Sequence, residues 1–182
     1  HFLVGIGGSA TNDAGTGMLQ ALGFIFYDTN NQAITDCRGG RLHDIAHIDD
    51  SRVTEVVRQA HFIIACDVDT PFCGKEGAAP VFAPQKGADA AMVQQLDAGM
   101  ASLAQVIQDK YHVDIVPIAG AGAAGGMGGA FRAFLNATLK PGIDMVLDAI
   151  NFDRTIQGAD LIITGEGKTD FQTAKGKTAA GV

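Results

Sequence analysis

The sequence predicts an α/β fold: a mostly parallel or mixed sheet with flanking helices. Three observations carry that expectation. Short apolar runs are repeatedly followed by glycine-rich turns, the alternation of strand, loop and helix. Met92, Leu96, Leu103 and Ile107 recur on one stripe of a 3.6-residue period, which marks a long amphipathic helix. A composition of 47% hydrophobic and 18% charged residues over 182 positions is enough to bury a core within a single domain.

The elements follow in order. Phe2 to Ile6 is apolar and precedes a glycine turn, so it reads as a strand, and residues 14–22 read as a helix closed by Gly23. Residues 24–27 form a second strand ending at Asp28. The polar stretch 29–52 reads as a surface hairpin or excursion. His61 to Asp67 (HFIIACD) is an unbroken apolar run and reads as a buried strand. Residues 89–110 form the long helix, with Asp89 as its cap. Residues 113–118 read as another strand. A glycine-alanine loop at 119–129 then enters a helix reaching about Leu139. Pro141-Gly142 restarts the chain into a short helix, and residues 161–164 form a last strand running into GEGKTD. No repeat or linker interrupts this, so 1–182 reads as a single α/β domain.

The formal charge of −7 without a basic block speaks against nucleic acid or an anionic membrane as partner. Three cysteines with no CxxC pair suit a reducing, cytoplasmic setting. No apolar run reaches the ~20 residues of a membrane helix, and no signal peptide is visible. The chain opens in a strand without an initiator Met, so it is expected to be an internal piece of a longer protein. Nothing in the sequence speaks to oligomeric state.

Four loops should lie beyond the carboxyl ends of strands, where open α/β sheets bind ligands. The first, GIGGSATND, places Gly5, Gly7 and Gly8 before Ser9, Thr11, Asn12 and Asp13. Bare backbone suits a phosphate, but Asp13 repels one unless a cation such as Mg²⁺ stands between. Alternatively Ser9, Asn12 and Asp13 cap the next helix. Gly5-x-Gly7-x-x-Ala10 with Asp28 downstream also imitates a dinucleotide fingerprint, which makes an NAD-dependent oxidoreductase a rival reading.

The second loop, CDVDTPFCG, sends Asp67 and Asp69 to the same face, suited to a metal or to a base acting on a hydroxyl. The third, AGAGAAGGMGG, carries Gly122, Gly125 and Gly126. It offers amides at a helix start or else lets a helix pack closely on the sheet. The fourth, GEGKTDFQT, offers Glu166, Lys168, Asp170 and Gln172. Its GKT and the later one both miss the P-loop spacing, because Ile162 and Phe171 stand where the first glycine belongs. His43-Asp44-Ile45-Ala46-His47 imitates a zincin motif but lacks a helical pattern and a third ligand.

Taken together, GIGGSATNDAGTGMLQALG, ACDVDTPFCG, VFAPQKGA, IAGAGAAGGMGGAFRAFL, LKPGID and DLIITGEGKTDFQTAKGK resemble, in order and over nearly the whole chain, the bacterial glycerate kinases. The resemblance implies ATP-dependent phosphorylation of D-glycerate with Mg²⁺, 2-phosphoglycerate being favoured over 3-phosphoglycerate. It also implies that this chain is the middle part of a two-domain enzyme. In that reading Gly5, Gly7, Gly8, Ser9 and Asn12, with Gly122, Gly125 and Gly126, contact the nucleotide. Asp13 and Asp67 sit near the metal, Lys168 faces phosphate, and Asp170 takes the hydroxyl proton, with Asp67 also in the catalytic set. Ala14 departs from the family pattern, which usually has glycine there. A non-enzymatic domain binding a phosphorylated metabolite through the same loops is the other alternative.

Overall fold

A computed structural model describes residues 1–165 and Val182, grouped into two compact units, His1–Leu139 and Lys140–Val182. The first unit holds two small sheets. β1 (Phe2–Gly5) and β5 (Phe62–Ala65) run parallel in the register Phe2↔Phe62 to Gly5↔Ala65. β6 (Thr138–Lys140) flanks β5 on its other side and leads out of the unit. β2 (Ile25–Tyr27), β3 (Ala33–Ile34) and β4 (His47–Asp49) form a separate antiparallel sheet with β2 in the centre. The stretch 29–52 supplies β3 and β4, which flank β2 instead of pairing with each other, so the hairpin is β2–β3 and starts before residue 29. The α/β class with a parallel sheet and flanking helices holds.

The helices of this unit are α1 (Thr16–Ala21), α2 (Glu55–Gln59), α3 (Ala78–Phe82), α4 (Ala90–Tyr111) and α5 (Ala123–Leu135). α4 starts where expected: Asp89 Oδ1 accepts the Met92 N–H at 2.8 Å and so satisfies one of the amides a helix start leaves open. It ends at His112, in the left-handed region at φ 57°. Its buried face is Gly99, Met100, Leu103, Ala104 and Ile107. Met92, at the top of the same stripe, is 52% exposed because the first turn runs past the core. Gly99 lets α4 lie on the 3₁₀ turn Gly39–Asp44, since a Cβ there would stand 3.1 Å from Leu42 Cβ.

Three sequence expectations fail. Residues 113–118 form turns rather than a strand, with Ile115 alone fully buried. α5 ends at Leu135 rather than near Leu139, because Asn136 turns left-handed at φ 45° and the chain re-enters the parallel sheet as β6. Residues 161–165 carry no regular structure, and Leu161 and Ile163 are exposed. In the second unit, α6 (Gly142–Ala149) follows Pro141 as expected, a further helix that the sequence did not announce, α7 (Phe152–Thr155), comes after it, and Lys140 pairs with Asp148.

Candidate functional site

Because β1 and β5 are parallel and Gly5 is in register with Ala65, the two strands end side by side. The chain segments leaving them, Ile6–Ser9 and Cys66–Val68, open onto one cleft of about 320 Å³. The end of α3 with Gln85, and the start of α5 at Ala123-Ala124, form its other walls. Two of the expected loops thus meet at the carboxyl edge of a parallel pair, the usual ligand position in such sheets, and the third reaches the cleft through two alanines.

The glycines divide into two kinds. A Cβ added at Gly5, Gly7 or Gly8 would meet nothing within 4 Å, and all three line the cleft. Their backbone is open to a ligand. Gly122, Gly125 and Gly126 are buried, and a Cβ on them would collide with protein. The obstacles are the Pro71 carbonyl at Gly122, the Thr11 carbonyl at Gly125, and Met100 Cε at 2.6 Å from Gly126. The third loop therefore packs against the first. Gly122, Gly125 and Gly126, expected to touch the nucleotide, do not line the cleft, and the space beside their Cα atoms is taken by protein.

The first loop is held from two sides. The Ala14 N–H donates to the Gly125 carbonyl at 2.9 Å. Asp13 Oδ1 accepts the Gly15 N–H at 3.0 Å and Oδ2 the Gly17 N–H at 3.1 Å, so its carboxylate caps α1. Asp13, expected near the metal, does not line the cleft; its two oxygens are turned to the Gly15 and Gly17 amides. Asn12 faces a second cleft of about 420 Å³ rather than the first. Its Nδ2 lies 3.5 Å from Met100 Sδ, and its buried Oδ1 has no partner among the described residues.

Lys86 is the residue that sequence reasoning missed. From the 3₁₀ turn Pro84–Lys86 its Nζ donates to Ser9 Oγ at 2.9 Å and to the Thr11 carbonyl at 2.5 Å. Burial pushes its ammonium below the usual lysine range, while the Asp13 carboxylate pulls the other way. The signal lay in VFAPQKGA, but nothing in that string says that its lysine reaches residues 9 and 11.

Asp67 sits at the cleft wall, exposed, directly after β5, while Asp69 does not line it. Beside it, Cys66 Sγ contacts the Val68 carbonyl at 3.3 Å, and burial raises its thiol pKa. Among the described residues no three His, Cys, Asp or Glu side chains are grouped to hold a metal. One carboxylate fits a Mg²⁺ shared with phosphate oxygens, because that ion commonly takes one or two protein carboxylates and keeps the rest of its shell for substrate and water. Lys168 and Asp170, with Glu166, Gln172 and Lys177, lie outside the described residues.

The decoys resolve. β2 belongs to the antiparallel sheet and not beside β1, so the parallel βαβ unit of a dinucleotide site is not formed. Asp28, its supposed ribose ligand, accepts the N–H groups of Asn30 and Gln32 at 2.8 and 2.9 Å in a tight turn. His43 lies within the 3₁₀ turn Gly39–Asp44 and contacts Asp44 at 3.0 Å, while His47 begins β4, so the pair shares no helix. No helix among the described residues is long and apolar enough to cross a membrane.

A family model described as the glycerate kinase family matches residues 1–182. A glycerate kinase of Bacillus cereus is 48% identical over 182 residues, covering 100% of this chain and 48% of that protein. A protein named glycerate 2-kinase from Escherichia coli K12 is 46% identical, again over 100% of this chain and 48% of its own length. A crystal structure bearing the name glycerate kinase 2, from Salmonella typhimurium LT2, superposes with a TM-score of 0.85 at 47% identity, covering 94% of this chain and 46% of that one. The chain spans about half the length of the curated relatives it matches.

Proposed function

The chain belongs to the glycerate kinase family, and from that premise we propose that the full-length protein transfers the terminal phosphoryl group of ATP to D-glycerate. Residues 1–182 contribute one α/β portion of a two-domain cytoplasmic enzyme. The observation that carries the reading is the unobstructed Gly5–Ser9 backbone facing Asp67 across one cleft.

Phosphoryl transfer depends on positioning and charge neutralisation more than on covalent chemistry by the protein. Gly5, Gly7 and Gly8 let phosphate oxygens approach the main chain, and Ser9 adds a hydroxyl. Asp67 holds the magnesium side of the nucleotide. Mg²⁺, when bound, supplies neutralisation of the phosphate charge. Lys168 faces phosphate and Asp170 accepts the proton of the attacking hydroxyl. The name of the Escherichia coli relative supports attack by the 2-hydroxyl, giving 2-phosphoglycerate.

The test is ³¹P NMR of full-length protein with D-glycerate, ATP and Mg²⁺, alongside calorimetry with NADH. Appearance of the 2-phosphoglycerate resonance with no NADH binding is the expected result. ATP that remains unconsumed in the presence of glycerate overturns the proposal, and tight NADH binding restores the oxidoreductase alternative.

A further inference from the structure

We infer that Lys86 is a positioning residue that fixes Ser9 as a hydrogen-bond donor to the anion held over Gly5–Ser9; this rests on the phosphoryl-transfer reading above. An ammonium has donors and no acceptor. At 2.9 Å, therefore, Ser9 Oγ accepts from Lys86 Nζ, and the one hydroxyl proton of Ser9 is left to donate elsewhere. Ser9 lines the first cleft. Without Lys86 the hydroxyl could rotate and present a lone pair to the same anion.

The placement of Lys86 fits this task. Lys86 lines the second cleft and not the first, so it reaches Ser9 without occupying ligand space. Its second bond, to the Thr11 carbonyl, spans the loop and holds residues 9 and 11 to one charge. Its own backbone is fixed. Pro84 opens its turn, the Lys86 N–H donates to the Ala83 carbonyl at 2.9 Å, and Gly87 closes the turn at φ 96°. The Phe82 ring, 5.9 Å from Nζ, adds a cation–π contact. The positive charge thus stands one hydroxyl away from any anion in the first cleft, in a partly buried setting where screening is weak.

The experiment is a double-mutant cycle on the full-length protein with Lys86→Met, Ser9→Ala and the pair, plus Lys86→Arg. Inorganic tripolyphosphate is the calorimetric probe, and kcat and KM for Mg-ATP are measured in parallel. Each single variant is expected to weaken tripolyphosphate binding by about tenfold, which corresponds to about 1.4 kcal/mol. The double variant should be no more than about twofold worse than the poorer single one, and Lys86→Arg should recover most of the affinity. Losses that multiply in the double variant overturn the inference, as does a Lys86→Met protein with lowered thermal stability but unchanged affinity. If Lys86→Met does not fold, Lys86→Gln, which keeps a donor for Ser9, replaces it and should lose less than Ser9→Ala; an equal or larger loss overturns the inference. A wild type that binds tripolyphosphate yet leaves glycerate unphosphorylated overturns the kinase reading alone. One that binds no tripolyphosphate overturns the inference itself.

Discussion

The backbone N–H of Ala14 donates to the Gly125 carbonyl at 2.9 Å, and both residues lie in the left-handed region, at φ 53° and 68°. That contact closes the third loop on the first. It fixes where Gly5–Ser9 can stand relative to β5, and so the shape of the cleft.

Gly125→Ala is expected to be severely destabilising. The new Cβ would overlap the Thr11 carbonyl and stand 2.6 Å from Asn12 Cα, at a φ that L side chains rarely adopt. Overpacking and left-handed strain together come to about 3 kcal/mol. Thermal unfolding of the full-length protein should show a fall in midpoint of several degrees, and an unchanged midpoint contradicts the packing role.

Ala14→Gly should behave in the opposite sense. A buried alanine normally loses stability on becoming glycine, by about 0.5–1 kcal/mol. Here Ala14 is 1% exposed but sits at a left-handed φ, which costs an L residue about 1–2 kcal/mol. The variant is expected to unfold at the same temperature as the wild type or slightly above it, and a clear drop would show that the strain is absent.

Gly7→Val separates ligand space from packing space. A Cβ at Gly7 meets nothing within 4 Å, so folding should be unaffected, whereas the side chain enters the cleft. The melting midpoint is expected to stay within about 1 °C while kcat/KM for Mg-ATP falls at least about tenfold, the equivalent of about 1.4 kcal/mol. Steady-state kinetics beside a melting curve checks both halves.

Asp67→Asn keeps the shape of the side chain and removes its charge. If Asp67 holds the magnesium side of the nucleotide, kcat should fall by about 10²-fold or more, with a raised magnesium requirement. A magnesium titration of the activity that superimposes on that of the wild type removes Asp67 from this role.

The thiols carry a pH prediction. Burial, with help from the Asp13 and Asp36 charges, pushes Cys37 up to about 11 from an ordinary 9.0, and burial likewise raises Cys66 and Cys73. Since the thiolate is the reactive form, Cys37 at pH 8 should be alkylated about a hundredfold more slowly in the native protein than in urea. The unfolded chain begins to release this proton near pH 9 while the folded one retains it. The stabilising contribution is therefore complete below pH 9 and is lost as pH climbs towards 11. Peptide mapping after iodoacetamide treatment reads each cysteine separately, and equal rates in both states refute the burial effect.

What was legible in the sequence was local. α4 announced itself through Asp89 and a stripe that recurs within one helix, and β1 and β5 through apolar runs ending in glycine or aspartate. Residues 113–118 carry the same apolar signal, yet they turn, because Ile115 reaches the core from a loop and needs no ladder partner. β6 stayed hidden because its three residues follow directly on a helical pattern that Asn136 interrupts by turning left-handed. In the site, the bare glycines of the first loop were readable as bare. That Gly122, Gly125 and Gly126 are equally bare but filled by Pro71, Thr11 and Met100 is a tertiary fact, absent from their own string. Lys86 was missed for the same reason, since its partners lie 75 and 77 residues away in the chain.

The most direct test of the central claim is a crystal structure of the full-length protein with D-glycerate, Mg²⁺ and a non-hydrolysable ATP analogue. The expected result places phosphate oxygens within hydrogen-bonding distance of the Gly7, Gly8 or Ser9 main chain, with Asp67 on the metal side. Phosphates bound away from the carboxyl ends of β1 and β5, with the Gly5–Ser9 backbone facing only solvent, would contradict it.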